Sequence, residues 1–337
     1  MSKKRIGIPY ALYFYEYYPL WKDFLTRLGA EVVLSKPTNK NILDLGIRSA
    51  LSEVCLPVKV FYGHVLSLTE QVDYILIPRM VCIERGSFFC PKIIGLPDMV
   101  KASLDLETLS PIISPLIDVR KPYGTWQSSL FQVGKLVTEN TRALSRAFTD
   151  SWENFQKNYV AHILDPEILK PGPFEPSDRR AREKLDIQHP VLNIAVIGHD
   201  YLFKDSFINL NLREKLQNMK VRVLTPEMVH PALIKKQLKK LFKPIFWSPS
   251  QKVVGAAFYY FENKVDGIIH LTSFECGEDS MVGELIHHQS RNYPNTSYTE
   301  FVFDEHTGEA GINTRIEAFL DMIIRRKRYE ISLTPYG

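Results

Sequence analysis

Between Arg5 and Ser35 the apolar residues change period twice. Arg5-Ile6-Gly7-Ile8-Pro9 is a short apolar run and predicts a strand. From Pro19 to Gly29, Leu20, Trp21, Phe24, Leu25 and Leu28 fall on one face of a helix, with Pro19 in its first turn and Gly29 just past its end. Glu31-Val32-Val33-Leu34-Ser35 then reads as a second strand, which closes a right-handed βαβ unit.

The same rhythm restarts later. Val191–Gly198 is a buried-type strand, a helix is expected around Leu210–Met219, and Val221-Arg222-Val223-Leu224 is the next strand. Each half also has a later strand opened by an aspartate, Asp73–Pro78 in the first and Asp266–Leu271 in the second, with a cysteine following each. Residues 124–163 form a long amphipathic, helical stretch. Pro166, Pro171, Pro173 and Pro176 then interrupt the chain. The expectation is an α/β protein of two Rossmann-like domains, residues 1–185 and 186–337, with parallel sheets flanked by helices. Near the end, Thr314-Arg315-Ile316-Glu317 matches a capping box. Ile316, Phe319, Leu320, Ile323 and Ile324 supply the apolar face of the helix it would start, and Arg325–Arg328 would complement that helix's C-terminal dipole.

Composition narrows the function classes. The net charge is +4 with one short basic run, which argues against nucleic-acid binding. No apolar run approaches the ~20 residues needed to cross a bilayer. The start of the chain lacks the apolar core and cleavage site of a signal peptide, so a cytoplasmic protein is expected. Reduced thiols there more often serve metals or redox chemistry than disulfides.

Of four cysteines, three have suggestive flanks. Cys55 precedes Leu56-Pro57, Cys90 precedes Pro91, and Cys276 precedes Gly277. Each is expected at a helix start or in a loop beyond a strand, where unpaired N–H groups favour a thiolate. A Cys-Pro step recurs in iron–sulfur ligation. These three jointly holding an iron–sulfur cluster is the leading reading; zinc stays open, although the close Cys-x-x-Cys pairs of structural zinc sites are missing. His64, His199 and Glu53 are weaker polar candidates, each equally suited to a structural role. The Thr307–Gly311 loop is either an anion site or a tight connection, and His287-His288 reads as surface.

The longer motifs are Tyr15-Glu16-x-Tyr18-Pro19-Leu20-Trp21, Glu53-x-Cys55-x-Pro57-x-Lys59-x-x-x-Gly63-His64, Pro78-Arg79, and Cys90-Pro91-x-x-x-Gly95-Leu96-Pro97-Asp98. Further along come Gly198-His199-x-Tyr201 with Asp205 and Asn209, Phe274-x-Cys276-Gly277-x-Asp279-Ser280, and Asp304–Gly311 leading to Thr314-Arg315-x-Glu317-Ala318-Phe319. Together they resemble the acyl-CoA dehydratase activase-related proteins, relatives of the iron–sulfur subunits of 2-hydroxyacyl-CoA dehydratases and of the double-cubane cluster proteins. The resemblance spans nearly the whole chain and is weakest across residues 100–190. It implies a [4Fe–4S] cluster between the two domains, ligated by Cys55, Cys90 and Cys276, with one iron open to water or substrate and Cys82 a bystander. It also implies electrons from a separate ATP-hydrolysing activase of the actin/Hsp70-like fold, a small-molecule or acyl-CoA substrate, and pairing of subunits. The chain itself shows neither a P-loop nor a dinucleotide fingerprint. The rival readings are a non-catalytic electron-transfer or scaffold component and a zinc-stabilised α/β binding protein.

Overall fold

A computed structural model describes residues 3–164, apart from 106 and 108, and residues 192–332. The predicted domain boundary near residue 185 and the prolines of the linker lie outside the described residues.

The first half runs β1 (Arg5–Ile8), α1 (Phe14–Arg27), β2 (Glu31–Leu34), α2 (Lys40–Ser49), α3 (Leu56–Leu68), β3 (Tyr74–Leu76) and β4 (Arg79–Cys82). It continues through α4 (Pro91–Ile94), α5 (Leu96–Ser103), β5 (Ile112–Ile113), β6 (Leu116–Asp118), α6 (Trp126–Gly134) and α7 (Thr141–Leu164). The second half runs β7 (Asn193–Gly198), α8 (Asp200–Lys204), α9 (Leu212–Asn218), β8 (Arg222–Leu224), α10 (Pro231–Leu238) and α11 (Ser248–Glu262). It ends with β9 (Gly267–Ser273), α12 (Gly277–Ser290), β10 (Ser297–Phe303) and α13 (Glu309–Ser332).

Two four-stranded sheets carry the fold, ordered β2-β1-β3-β5 and β8-β7-β9-β10, and every pairing in them is parallel. In each, the first strand of its half lies inside, the second strand flanks it on one side and the later strands follow on the other. The halves thus repeat one Rossmann-like topology. The sequence shows why the strands are parallel: β7 and β9 read as continuous apolar runs because helices cover both faces, and β9 is buried along its whole length. One apolar core crosses from the first sheet to the second, joining Ile6, Phe24 and Tyr62 with Ile194, Leu271 and Phe303. A second cluster fills the space between the second sheet and α11 and α12.

Two helix starts differ from the sequence expectation. α1 begins at Phe14, so Pro19 lies inside it, and Gly29 follows its end with φ of +90° as expected of a terminating glycine. α13 begins at Glu309, five residues ahead of the predicted capping box. The Asp304–Thr307 turn reverses the chain first: His306 N donates to Asp304 Oδ1 at 2.9 Å and Asp304 N to Thr307 Oγ1 at 2.8 Å. Thr314 instead donates to the Ala310 carbonyl within the helix. The basic run 325–328 also lies inside α13, where Arg326 reaches Ser297 and the Asp266 carbonyl, so it does not sit at the helix end.

α2 and α3 pack backbone to backbone. A Cβ on Gly46 would lie 1.9 Å from the Lys59 carbonyl oxygen, and one on Gly63 would lie 1.9 Å from that of Ile42. This contact fixes α3, whose first turn carries Cys55.

Candidate metal centre

The three flanked cysteines occupy equivalent local positions. Cys55 is the N-cap of α3, Cys90 of α4 and Cys276 of α12, each in extended backbone immediately before its helix. Pro57 and Pro91 suit the first turns because the missing N–H is one that a helix start leaves unpaired anyway. Cys276 Sγ accepts from the Asp279 N–H at 3.5 Å, and Glu275 just before it holds a left-handed φ of +63°.

The folded chain brings these thiols together. Cys55 and Cys276 share a hydrogen bond, and Cys90 lies within charge range of both. The Cys55 thiol is lowered, first by that bond and further by the Val58 N–H and Lys92, against the effect of burial. Cys276 is raised as the proton-holding partner and by burial. Burial and the nearby Glu278 carboxylate push Cys90 up to about 12. Buried thiols of this kind ionise once a cation compensates them.

Two lysines tie the cysteine segments together. Lys92 Nζ donates to the Glu53 carbonyl at 2.7 Å and to the Glu275 carbonyl at 3.2 Å. Lys59, one turn beyond Cys55, lies 2.7 Å from Glu305 and 3.4 Å from Glu275, so a buried ammonium of the first half is neutralised by carboxylates of the second. Burial works against its charge, but the two carboxylates prevail and raise its pKa. Both lysines escaped the sequence reading as site residues, although Lys59 stood in the quoted motif.

His199 follows β7 as the N-cap of α8 and faces the same site. Its Nε2 is 3.0 Å from Asp279 Oδ1 and 3.5 Å from Glu278 Oε2, and the ring stacks on Tyr201 at 5.1 Å. The ring hydrogen-bonds with Asp279 and with Cys276. Donor atoms of His199, Cys276 and Asp279 lie within 4.8 Å of one another. Burial would drive the imidazole pKa down, yet Asp279 overrides it and holds it well above the usual value. Cys276 caps α12, and the Asp279 carboxylate accepts from the Ser273 N–H at 2.9 Å and lies 3.0 Å from His199 Nε2.

The remaining candidates fall elsewhere. Cys82 is fully buried at the end of β4, and its thiol donates to the Glu84 carbonyl at 3.1 Å. His64 is held by Ser35 at 2.9 Å and Thr38 at 3.0 Å, and Thr38 donates onward to Asp205, so it serves a network that joins the halves. Asn209 binds the Leu202 and Phe203 carbonyls at the end of α8. Glu53 is exposed and contributes only its carbonyl. Much of Thr307–Gly311 is the first turn of α13, and His287 and His288 are exposed on α12.

Two cavities adjoin the centre. One of about 50 Å³ is apolar and aromatic, lined by residues including Tyr13, Tyr17, Trp21, Phe61 and Ile93 at the ends of β1 and β3. The other, about 20 Å³, lies between His199, Tyr13 and the charged group Glu16, Asp200 and Lys252. There Lys252 is 2.8 Å from Asp200, and burial and Asp200 raise Glu16 to about 7.

The donor set suits a soft metal centre: three thiols at helix starts, and an imidazole whose donor atom lies close to those of Cys276 and Asp279. No curated protein matches the sequence. Among solved structures, the glycosyltransferase SnogD from Streptomyces nogalater aligns over 99% of this chain and 96% of its own at 14% identity, with a TM-score of 0.20 that carries no argument. Residues 5–229, about two thirds of the chain and including Cys55, Cys90 and His199 but not Cys276, match the family described as "CoA enzyme activase uncharacterised domain (DUF2229)", and the chain belongs to that family.

Proposed function

We propose that the chain is an iron–sulfur protein of the 2-hydroxyacyl-CoA dehydratase and activase-related group, with Cys55, Cys90 and Cys276 holding a [4Fe–4S] cluster. The observation that carries this reading is the convergence of three widely separated cysteines, each the N-cap of its own helix, at one buried site. Helix N-termini favour the anionic thiolates such a cluster requires. A bound cluster supplies a low-potential one-electron centre. Lys92 and Lys59 keep the three segments in register, and the surrounding aromatic residues Tyr13, Phe89 and Tyr201 exclude water. The apolar cavity beside Tyr13 and Ile93 favours an uncharged, apolar reacting group on the species reduced or activated. In this reading the electrons come from a separate ATP-hydrolysing activase of actin/Hsp70-like fold, in the cytoplasm, with an acyl-CoA or other small molecule as substrate and subunit pairing as in related systems. The halves on either side of residue 185 act as the two domains.

Zinc is the second reading, favoured by the closeness of the Cys276, His199 and Asp279 donors. Anaerobic purification with iron, sulfide and zinc analysis and electron paramagnetic resonance separates the two. Iron with sulfide, and its loss in Cys55→Ser, Cys90→Ser and Cys276→Ser, supports the cluster; zinc without iron sinks it. Reduction of the cluster by an activase with ATP supports the electron route, and its failure favours a scaffold role.

A further inference from the structure

α10 and the loop that joins it to α11 send their apolar residues in two directions. Ile234, Leu238, Leu241 and Ile245 pack inward against the second core cluster. Gly255 of α11 permits a close approach, since a Cβ there would lie 2.5 Å from Ile234 Cγ2. Phe242 and Phe246 each stand one residue after an inward position, and they are 97% and 62% exposed. The backbone beneath them is held in place. Gln251 Nε2 donates to the Ile245 carbonyl at 2.7 Å, and the Phe88 N–H to the Phe246 carbonyl at 2.7 Å. The fold therefore presents these two rings to the outside.

Charge is concentrated on the same segment. Lys235, Lys236, Lys239, Lys240 and Lys243 put five lysines in nine residues, on a chain whose net charge is only +4. All five are exposed. Glu84 pairs with Lys235, and Glu262 pairs with Lys240 and lies within charge range of Lys236. Lys239 and Lys243 have no acidic partner among the described residues. Exposed phenylalanines among lysines have the composition of a surface that settles into a bilayer interface: ammonium groups meet anionic headgroups, and the rings enter the acyl boundary. The buried centres of protein–protein interfaces are depleted in lysine and use arginine instead. The lysines thus favour lipid over an acidic protein.

We propose that α10 and the loop after it dock the chain on an anionic lipid bilayer, with Phe242 inserted at the headgroup boundary. The attachment is peripheral, with the lysine stems lying along the interface and their ammonium groups in water. It is independent of the metal held at the cysteines.

The test is co-sedimentation of the full-length protein with vesicles of phosphatidylcholine and phosphatidylglycerol in equal parts, compared with phosphatidylcholine alone. Binding is expected to the anionic vesicles only, and to fall as added salt screens the lysines. Lys239→Glu combined with Lys243→Glu is expected to abolish it, and Phe242→Ser to weaken it about tenfold. These positions are exposed, so thermal melting should show each variant folded as the wild type is. No binding to anionic vesicles, or binding that survives in the lysine variant, overturns the proposal. Equal binding by Phe242→Ser and the wild type overturns it too, because the lysines then act as a diffuse polycation. Retention of poly-glutamate by protein that ignores the vesicles assigns the surface to an acidic protein partner and equally overturns it.

Discussion

Lys92 Nζ lies 3.2 Å from the carbonyl oxygen of Glu275, and the same ammonium donates to the Glu53 carbonyl at 2.7 Å. Lys92 stands two residues after Cys90, Glu53 two before Cys55, and Glu275 one before Cys276. One cation on the Cys90 segment therefore binds the main chain of the other two cysteine segments. Because it holds carbonyls, it fixes the course of the backbone whatever side chains Glu53 and Glu275 carry.

Lys92→Met is expected to lower stability by about 2 kcal/mol, the middle of the ~1.5–3 kcal/mol range for hydrogen bonds to charged groups. It should also slow anaerobic reconstitution with iron and sulfide, and Lys92→Arg should recover part of the loss. Thermal melting and iron content check this. A Lys92→Met protein that melts and reconstitutes like the wild type would show that the clamp is idle.

Gly63→Ala places a methyl group against the Ile42 carbonyl, where an unrelaxed Cβ would sit 1.9 Å away. Overpacking ordinarily costs ~1–3 kcal/mol, and here the obstacle is backbone that cannot rotate aside. A loss of about 3 kcal/mol in urea unfolding is expected, together with reduced metal retention because α3 carries Cys55. A variant as stable as the wild type would mean that α2 and α3 separate freely.

The strands were legible because parallel sheets covered on both faces write continuous apolar runs, as in β7 and β9. The cysteine positions were legible from Pro57, Pro91 and Gly277, which mark helix starts locally. Helix starts governed by side chains were harder to place. Thr314–Glu317 has the capping spacing, yet the Asp304–Thr307 turn starts α13 earlier. The supporting groups were not legible, because their partners are distant in sequence: Lys92 reaches a carbonyl 183 residues away, and Lys59 a carboxylate 246 residues away. His199 was legible only as a weak polar candidate for the same reason, since only the fold delivers Asp279 to it.

His64 gives a pH prediction. Burial lowers its pKa to about 4, from 6.5 in the unfolded chain. A histidine depressed in the folded state favours unfolding as pH falls, because between these values the unfolded chain binds the extra proton. Its contribution to stability is complete above pH 6.5 and shrinks by up to about 3 kcal/mol as pH drops toward 4. Asp205, which receives Thr38 in the same network, is raised by burial and acts in the opposite direction. The informative quantity is therefore a difference: urea stability of the wild type minus that of His64→Gln should decline between pH 6.5 and 4.5. A flat difference would show that the imidazole stays protonated in the folded chain.

Cys82 separates stability from metal binding. Its thiol is fully buried and donates to the Glu84 carbonyl, apart from the three converging thiols. Cys82→Ser puts a more polar, shorter group in an apolar setting, at a cost of about 1–3 kcal/mol. Its iron and sulfide content should match the wild type at temperatures below the lowered melting point. Cys55→Ser should do the reverse and lose the cluster, because its side chain faces Cys276 at the first turn of α3. Equal iron loss in the two variants, each measured well below its melting temperature, would make Cys82 a ligand and the set of three incomplete.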